Sequence, residues 1–367
     1  MVTTNRRDML KLTLAAGLSP LLGGVATAFA GEKREFSPQK NDWRKFEITT
    51  SVNMPADKGA AEIWLPVPSL NNDYQRSLDN SVSGNAVSSE IITDKATGAQ
   101  YLHATFDGKA APELALKSRF ETRNRTIDWA VKTKAQEDAA VLQAALKPTG
   151  NKPLDGAVGE MAAKITEGAA TDVDKVKAIY AWIVNNCYRN LDTPGCGPGD
   201  NLATLTSNGL GGKCADLNGL FVGLARASGV PARDVYGVRV APSAFGFKQL
   251  GANTASITGA QHCRAEVWLA DYGWVAMDPA DVLKVMRAET ETWIKDPNDP
   301  LVTEINAALF GNWEGNWVGF NTAEDLSLKD RAQTLPFLMY PQGSLAGKPL
   351  NELDAKAFTY DMSAIEI

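Results

Sequence analysis

The alternation of apolar and polar residues over about residues 41–130 is the feature that most constrains the fold of this chain. Phe46, Ile48, Thr50 and Val52 alternate with polar residues, as the side chains of a half-buried strand do. A similar pattern recurs near residue 120. Clusters of Gly, Pro, Asn and Asp separate these runs and indicate tight turns. The pattern predicts a small antiparallel β-sandwich.

Length and composition describe a globular protein with little affinity for nucleic acid. The 367 residues are many for one domain, so two domains are expected. Hydrophobic residues make up 44% and charged residues 22%, which is typical of a folded chain. The net charge is −6, and no Lys/Arg cluster occurs in the body of the sequence. Both facts disfavour a nucleic-acid partner.

The first thirty residues have the pattern of an export signal. The segment Asn5-Arg6-Arg7-Asp8-Met9-Leu10-Lys11 resembles the twin-arginine motif, and an uncharged stretch leads to Ala28-Phe29-Ala30, a small-x-small cleavage site. An uncleaved membrane anchor is the alternative, which Pro20 and the paired glycines Gly23-Gly24 disfavour. We therefore predict export to a bacterial periplasm, without stable membrane insertion once the signal is removed.

Helical patterns follow the predicted sandwich. Residues from Val131 to Leu146 have a helical composition that ends at a Pro/Gly break, and Thr171 with Asp174 resembles a capping box at the start of the next helix. The predicted division is an export signal (1–30), an N-terminal β domain (31–130), a helical linker (131–164), a core with the candidate site (165–290) and a C-terminal extension packing on the core (291–367).

Cys214 is the first candidate for chemistry. It follows Gly211-Gly212-Lys213 and precedes apolar residues at helical spacing, namely Leu217, Leu220, Phe221 and Leu224. Free N–H groups and the positive end of the dipole at a helix start favour a thiolate, and the same N–H groups can hold an oxyanion. The alternative is a small buried core residue, because free cysteines are often buried.

A predicted hairpin supplies a base and an acid. His262 begins an alternating segment that reads as a strand, and a second short strand ends at Asp278, before a proline. The turn between them places both residues at the open end of the hairpin, where Asp278 could fix the imidazole tautomer. Alternatively, His262 is a structural histidine and Asp278 a turn former. The other histidine, His103, is expected to be structural.

The remaining cysteines and two tryptophans allow more than one interpretation. No C-x-x-C pair occurs, so a zinc site is poorly supported. Cys187 and Cys196 are one option for a disulfide in an oxidising compartment. Cys196 or Cys263 could approach Cys214 and give redox control, but we expect both to be buried or bridged away from it. The tryptophan pair, Trp313 and Trp317, favours packing over a core edge, with substrate stacking as the alternative.

Several strings together resemble the transglutaminase-like superfamily over about residues 165–285. They are Gly212-Lys213-Cys214, Pro231-Ala232-Arg233, His262 to Glu266, Gly273-Trp274-Val275 and Asp278-Pro279. The family commonly has His-Ala-Trp-x-Glu where this chain has His262-Cys263-Arg264-Ala265-Glu266.

The resemblance implies a fold and a reaction. It implies an α+β fold with a papain-like or transglutaminase-like core behind the β domain, and a catalytic triad of Cys214, His262 and Asp278, without cofactor or metal. A peptide or protein would be the substrate. Hydrolysis of an amide bond is favoured, and the alternatives are protein-glutamine acyl transfer and a non-catalytic binding module on the same fold.

Overall fold

The computed structural model describes residues 35–54 and 59–367, which form one compact unit. The predicted export signal, residues 1–30, lies outside the described residues. Within the described part of the chain, no helix is both long enough and apolar enough to cross a membrane.

The described residues form eighteen strands and seven α-helices. The strands are β1 Arg44–Asn53, β2 Ala61–Val67, β3 Gln75–Gly84, β4 Ser88–Thr93, β5 Gln100–Phe106, β6 Glu113–Thr122, β7 Tyr188–Arg189, β8 Gly211–Gly212, β9 Ala232–Arg239, β10 Gln261–Leu269, β11 Gly273–Met277, β12 Phe310–Gly311, β13 Trp317–Asn321, β14 Glu324–Leu326, β15 Leu335–Phe337, β16 Gln342–Leu345, β17 Lys348–Pro349 and β18 Thr359–Glu366. The helices are α1 Ala139–Ala144, α2 Gly156–Ile165, α3 Asp172–Asn186, α4 Asn201–Thr206, α5 Cys214–Ala227, α6 Pro279–Ala288 and α7 Pro300–Leu309.

The N-terminal strands form two antiparallel sheets that also contain strands from the end of the chain. One sheet has the order β18-β1-β6-β3 and the other has the order β17-β16-β2-β5-β4. The inward face of β1 packs at Val52 against the second sheet, where Ile63 and Leu102 lie. At Phe46 and Ile48 the same face packs against β9 and β13. One alternating strand therefore joins the sandwich to the rest of the molecule.

A third antiparallel sheet carries the region in which the site residues were predicted. Its order is β12-β11-β10-β9-β13. Helix α5 packs on β10 and β9, α3 also contacts β10, and α6 packs against α5 and α3. Nearly every residue of α5 is buried. A helix that is covered on all sides lies at the centre of the core. The predicted α+β class with antiparallel sheets is confirmed.

Helix starts are fixed by local hydrogen bonds. At α3 the Thr171 hydroxyl accepts from the Asp174 N–H at 3.2 Å, and the Asp174 carboxylate accepts from the Thr171 N–H at 3.1 Å, which is the predicted capping box. Helix α1 is shorter than the predicted segment from Val131 to Leu146, because Asp138 caps it at Ala140. The residues before it bond instead to the β10–β11 turn, where the Thr133 N–H donates to the Asp271 carbonyl at 2.7 Å.

Two buried ion networks connect distant parts of the chain. Glu266 of β10 pairs with Arg125, which follows β6, and with Arg233 of β9. In the second network, Lys152 pairs with Asp234 and with Glu324, and Glu324 also accepts from Arg226 of α5 at 2.7 Å. Removing one partner of such a network leaves a buried charge, which typically costs about 3–5 kcal/mol. The domain boundaries given above stay predictions.

Candidate active site

Cys214 is the first residue of α5, as predicted, and only 3% of it is exposed. The Asp216 carboxylate shapes this helix start, because it accepts from the N–H groups of Lys213 and Gly199, each at 3.0 Å. The Ala215 N–H donates to the Cys196 carbonyl at 2.9 Å. The expectation that several helix-start N–H groups can hold an oxyanion is therefore too broad, since the loop already uses that of Ala215. The expectation therefore rests on the N–H of Cys214 itself, the first residue of the helix.

His262 lies on β10, and its ring and backbone are both held. The ring atom Nε2 lies 2.8 Å from Asp278 Oδ2, which leaves Nδ1 on the other side of the ring for Cys214. The Trp317 indole N–H donates to the His262 carbonyl at 2.8 Å. Trp317 is 1% exposed, so it packs behind the histidine, in agreement with the packing interpretation of the tryptophan pair. A role in stacking on substrate does not fit this burial.

Asp278 ends the strand β11 and caps helix α6. One of its oxygens accepts from the Asn218 amide and from the Asp281 N–H, both at 3.1 Å. The Nε atom of Arg264 lies 3.6 Å from the other oxygen, which is an ion-pair distance but too long for a hydrogen bond. Arg264 occupies the position of the family's tryptophan, and here its charge supports the Asp278 carboxylate.

A second carboxylate, which the sequence patterns did not predict, lies beside His262. Asp281 Oδ1 lies 3.4 Å from His262 Nε2. The Arg239 guanidinium donates to both oxygens of Asp281, at 2.6 and 2.7 Å. Sequence spacing could have revealed two of these supporting residues, Asp281 and Asn218. Asp281 follows the helix cap Asp278 by three residues. Asn218 follows Cys214 by four residues and therefore lies on the same face of α5.

The charged groups favour a protonated imidazole. Burial opposes the charge on His262, but the carboxylates of Asp281 and Asp278 outweigh burial and raise the pKa of His262 above its ordinary value. Burial, together with the neighbouring Asp281, raises the pKa of Asp278, although His262 pulls it down. Arg239 and His262 hold the pKa of Asp281 well below its usual range despite burial. Asp281 is therefore the firmly ionised member of the pair.

Three of the four cysteines meet at the site. The thiols of Cys196 and Cys263 both lie within hydrogen-bonding reach of the Cys214 sulfur, and with His262 they lower the pKa of Cys214 well below its ordinary value against the effect of burial. The expectation that Cys196 and Cys263 lie away from Cys214 is wrong, because a loop and the strand β10 converge on the start of α5. All four cysteines are free thiols, so Cys187 and Cys196 are not bridged.

Cys214 and His262 line one cavity of about 370 Å³. Its wall also includes Cys196, Tyr340 and Gln261. Cys214 and His262 are otherwise buried, so this cavity gives both side chains a connection to solvent. A small substrate segment could reach the thiol through it.

Within the described part of the chain, two groups of residues have ligand atoms close enough for a metal ion. The first is His262, Asp278 and Asp281, whose ligand atoms lie within 4.8 Å of one another. A cation there would have to displace Arg239 from Asp281. The second consists of Glu62, His103 and Asp330. His103 is 3% exposed, bonds Glu62 at 2.8 Å and stacks on Trp64, which fits the predicted structural role.

Comparison with known proteins agrees with this fold. A family model of the transglutaminase-like superfamily matches residues 159–279, which contain Cys214, His262 and Asp278. The chain belongs to this superfamily. An uncharacterized protein of Haemophilus influenzae is 35% identical over 340 residues, which cover 87% of this chain and 91% of that protein.

Among solved structures, the "putative cysteine protease" of Cytophaga hutchinsonii superposes with a TM-score of 0.51 at 17% identity, covering 89% of this chain and 99% of that one. The periplasmic domain of TgpA from Pseudomonas aeruginosa covers 64% of this chain and 87% of its own, with a TM-score of 0.36 and 16% identity. The predicted transglutaminase-like core with a β-sandwich before it is confirmed as a fold.

Proposed function

We propose that this chain is a thiol enzyme that attacks peptide or protein amide bonds, with Cys214 as nucleophile, His262 as base and Asp278 as orienting acid. The observation that carries the proposal is the 2.8 Å pairing of His262 Nε2 with Asp278 Oδ2 beside a thiol at a helix start. The lowered pKa of Cys214 and the raised pKa of His262 favour a thiolate–imidazolium pair.

The first half of the reaction forms an acyl-enzyme. The Cys214 thiolate attacks the amide carbon, and the Cys214 N–H at the helix start stabilises the oxyanion. His262 gives its Nδ1 proton to the leaving nitrogen as the C–N bond breaks, so a neutral amine departs and a thioester remains. Asp278 holds the ring throughout and stabilises its positive charge, and Asn218 and Arg264 hold Asp278.

The second half depends on the acceptor. His262, now neutral, removes a proton from water, and the resulting attack on the thioester releases a carboxylic acid and restores the thiolate and imidazolium. A primary amine in place of water would give acyl transfer. We favour hydrolysis, since bacterial members of the superfamily that this chain resembles look more often like peptidases or amidases, and the name of the Cytophaga hutchinsonii protein agrees with this.

Labelling with iodoacetamide tests whether Cys214 is activated. We expect rapid modification of Cys214 near pH 6, where an ordinary thiol is almost fully protonated. His262→Ala should slow the labelling at least tenfold, and Cys214→Ala should abolish it. The matched controls are His103→Ala, which removes the other histidine, and Cys187→Ala. Labelling that survives in Cys214→Ala, or that is no faster than that of Cys187, would rule out an activated nucleophile.

A peptide library separates hydrolysis from acyl transfer. Wild-type enzyme and Cys214→Ala are each incubated with periplasmic peptides, with and without a fluorescent primary amine. New peptide carboxyl termini that depend on Cys214 would support hydrolysis, whereas incorporation of the amine at glutamine would support acyl transfer. Asp278→Asn should lower the rate of the peptide reaction by about 10²–10⁴-fold while leaving the Cys214 thiol in place. If the library is unchanged but labelling is normal, the chain is a binding module.

We also propose that residues 1–30 direct the protein to the periplasm through a twin-arginine signal. The support is the motif at Arg6 and Arg7 with the small-residue cleavage site at Ala30. Replacing both arginines by lysine should retain the protein in the cytoplasm, and the exported protein should begin after Ala30. Cell fractionation with N-terminal sequencing measures both. Export that is unaffected by the double lysine change would contradict this assignment.

A further inference from the structure

The cavity in front of Cys214 and His262 has the opposite charge to the protein as a whole. The chain carries a net charge of −6. Four cationic side chains nevertheless line the cavity: Arg189, Lys213, Arg239 and Lys284. Glu352 is the one carboxylate among the described residues of its wall. These cations come from β7, the residue before α5, β9 and α6, so residues far apart in the sequence create this charge.

Three of the four cations have no carboxylate within ion-pair distance in the described part of the chain. Arg239 is neutralised by its two hydrogen bonds to Asp281. For Arg189, Lys213 and Lys284, no carboxylate of the described residues lies within 4.0 Å of the charged nitrogens. An unpaired charge in a confined cavity is unfavourable without a counter-ion, and like charges placed together focus the field on whatever enters.

Lys284 shows the effect of this crowding most clearly. Burial, with the nearby charges of Arg239 and Arg189, lowers the pKa of Lys284 to about 8. Asp281 raises it again in part, and so does the Cys214 thiolate. A bound anion would favour the charged form of Lys284 in the same way. The geometry therefore offers a site that gains from receiving a negative group next to the nucleophile.

We propose that the cavity binds a substrate carboxylate through Lys284, Arg189 and Lys213, so that the substrate carries a negative group beside the attacked amide. This inference rests on the proposed function, because it assigns the substrate class of the same site. The carboxylate belongs either to an aspartate or glutamate side chain or to the C-terminus of a peptide. Both sources present the same group to the cations.

Alkylation of Cys214 by iodoacetate and by iodoacetamide tests the charge directly. The two reagents form the same S–C bond and release iodide, but only iodoacetate is anionic. Both rates depend equally on the thiolate, so their ratio reports the field that acts on an entering carboxylate. We expect the rate with iodoacetate, divided by the rate with iodoacetamide, to be well above the same ratio for free cysteine. This ratio should fall about tenfold in Lys284→Met and in Arg189→Met. Lys284→Arg should restore the ratio, and Lys177→Met, on the exposed face of α3, should not change it.

Protection experiments distinguish the two sources of the carboxylate. Acetyl-glutamate amide carries only a side-chain carboxylate, acetyl-glutamine carries only a terminal one, and acetyl-glutamine amide is neutral. The compound that slows iodoacetamide labelling of wild-type Cys214 shows whether the cavity binds a side-chain or a terminal carboxylate. Circular dichroism checks that each variant is folded. Because two different cations are replaced in separate variants, the test can still be made if one variant does not fold.

The outcomes separate this inference from the proposed function. If Cys214 reacts with both reagents but Lys284→Met and Arg189→Met leave the ratio unchanged, carboxylate binding is wrong and the thiol enzyme stands. Equal slowing of both reagents has the same meaning, since the cations would then act on the thiolate alone. If Cys214 reacts with neither reagent, the proposed function fails, and this inference fails with it.

Discussion

Asn218 donates a hydrogen bond to the Asp278 carboxylate at 3.1 Å, and this contact ties the helix that begins at Cys214 to the residue that holds His262. The same amide group donates to the Cys263 carbonyl at 2.9 Å, and its oxygen accepts from the Ala280 N–H at 3.1 Å. One buried side chain thus joins α5, β10 and α6. Its hydrogen bonds fix the relative positions of the three elements that carry the candidate triad.

Replacing Asn218 by alanine should therefore affect stability and reactivity together. Three buried groups each lose one hydrogen bond, so we expect the free energy of unfolding to fall by about 2–4 kcal/mol. The labelling rate of Cys214 should fall several-fold because Asp278 is less well held. Urea unfolding and iodoacetamide labelling measure the two effects. Asn186→Ala is the control, since the exposed Asn186 amide donates to the Trp182 carbonyl of its own helix and to no other group of the described residues. Equal effects of the two variants would contradict this role.

The pH dependence should differ between alkylation and amide cleavage. As the pH falls through the lowered pKa of Cys214, the thiolate is protonated and both rates decrease. As the pH rises through the raised pKa of His262, the imidazolium loses the proton that the leaving amine needs, so only cleavage decreases. The rate of amide cleavage should follow a bell-shaped dependence on pH. Its two apparent pKa values belong to the coupled pair of Cys214 and His262 and not to either residue alone. An alkylation rate that rises only near the ordinary pKa of a free thiol would argue against an ion pair.

The neighbouring thiols should tune the nucleophile. A thiol has one proton, so Cys196 donates either to the Gln261 carbonyl, 3.3 Å away, or to Cys214. Ionisation of Cys214 favours the second acceptor, because hydrogen bonds to a charged atom are stronger. Cys196→Ala and Cys263→Ala should each raise the pKa of Cys214 and shift the acid limb of the alkylation profile to higher pH.

Cys187→Ala is the matched control for the two thiol variants. Cys187 is also buried, and burial alone raises its pKa to about 12. Its removal should leave the alkylation profile of Cys214 where it is in the wild type. A shift of the same size in all three variants would mean that cavity formation, rather than hydrogen bonding to the thiolate, is responsible.

Two glycines with similar backbone angles should respond very differently to alanine. Gly197 has a φ of +87°, and an added methyl group would lie 1.9 Å from Asp216 Oδ2. Gly229 has a φ of +81°, with nothing within 4 Å of the added methyl. Each substitution imposes about 1–2 kcal/mol of backbone strain. Only Gly197→Ala also displaces the carboxylate that shapes the start of α5.

We expect Gly197→Ala to lower the free energy of unfolding by at least about 3 kcal/mol and to slow the labelling of Cys214. Gly229→Ala should lower the free energy by about 1–2 kcal/mol without changing the labelling rate. Thermal unfolding and iodoacetamide kinetics provide the comparison. Similar labelling rates in the two variants would show that Asp216 is not required for the position of Cys214.

Local patterns were sufficient for the elements that hold the candidate triad. The spacing of Leu217, Leu220 and Leu224 predicted α5, and the turn after β10 predicted the hairpin of His262 and Asp278. These patterns succeed because a helix or a hairpin is encoded by residues that are close in sequence. The prediction for helix α1 is too long. The chain before this helix bonds at Thr133 to Asp271, which lies 138 residues further along the sequence.

The sequence by itself therefore determined the order of the elements, the helix start at Cys214 and the hairpin opposite it. Only the tertiary structure decided what surrounds them: the two thiols at Cys214, the second carboxylate at His262, and the cations of the cavity. The body of the sequence contains no basic cluster, yet Arg189, Lys213 and Lys284 meet at one cavity. The physical reason is that charge acts through space, whereas hydrophobic periodicity records only what is near along the chain.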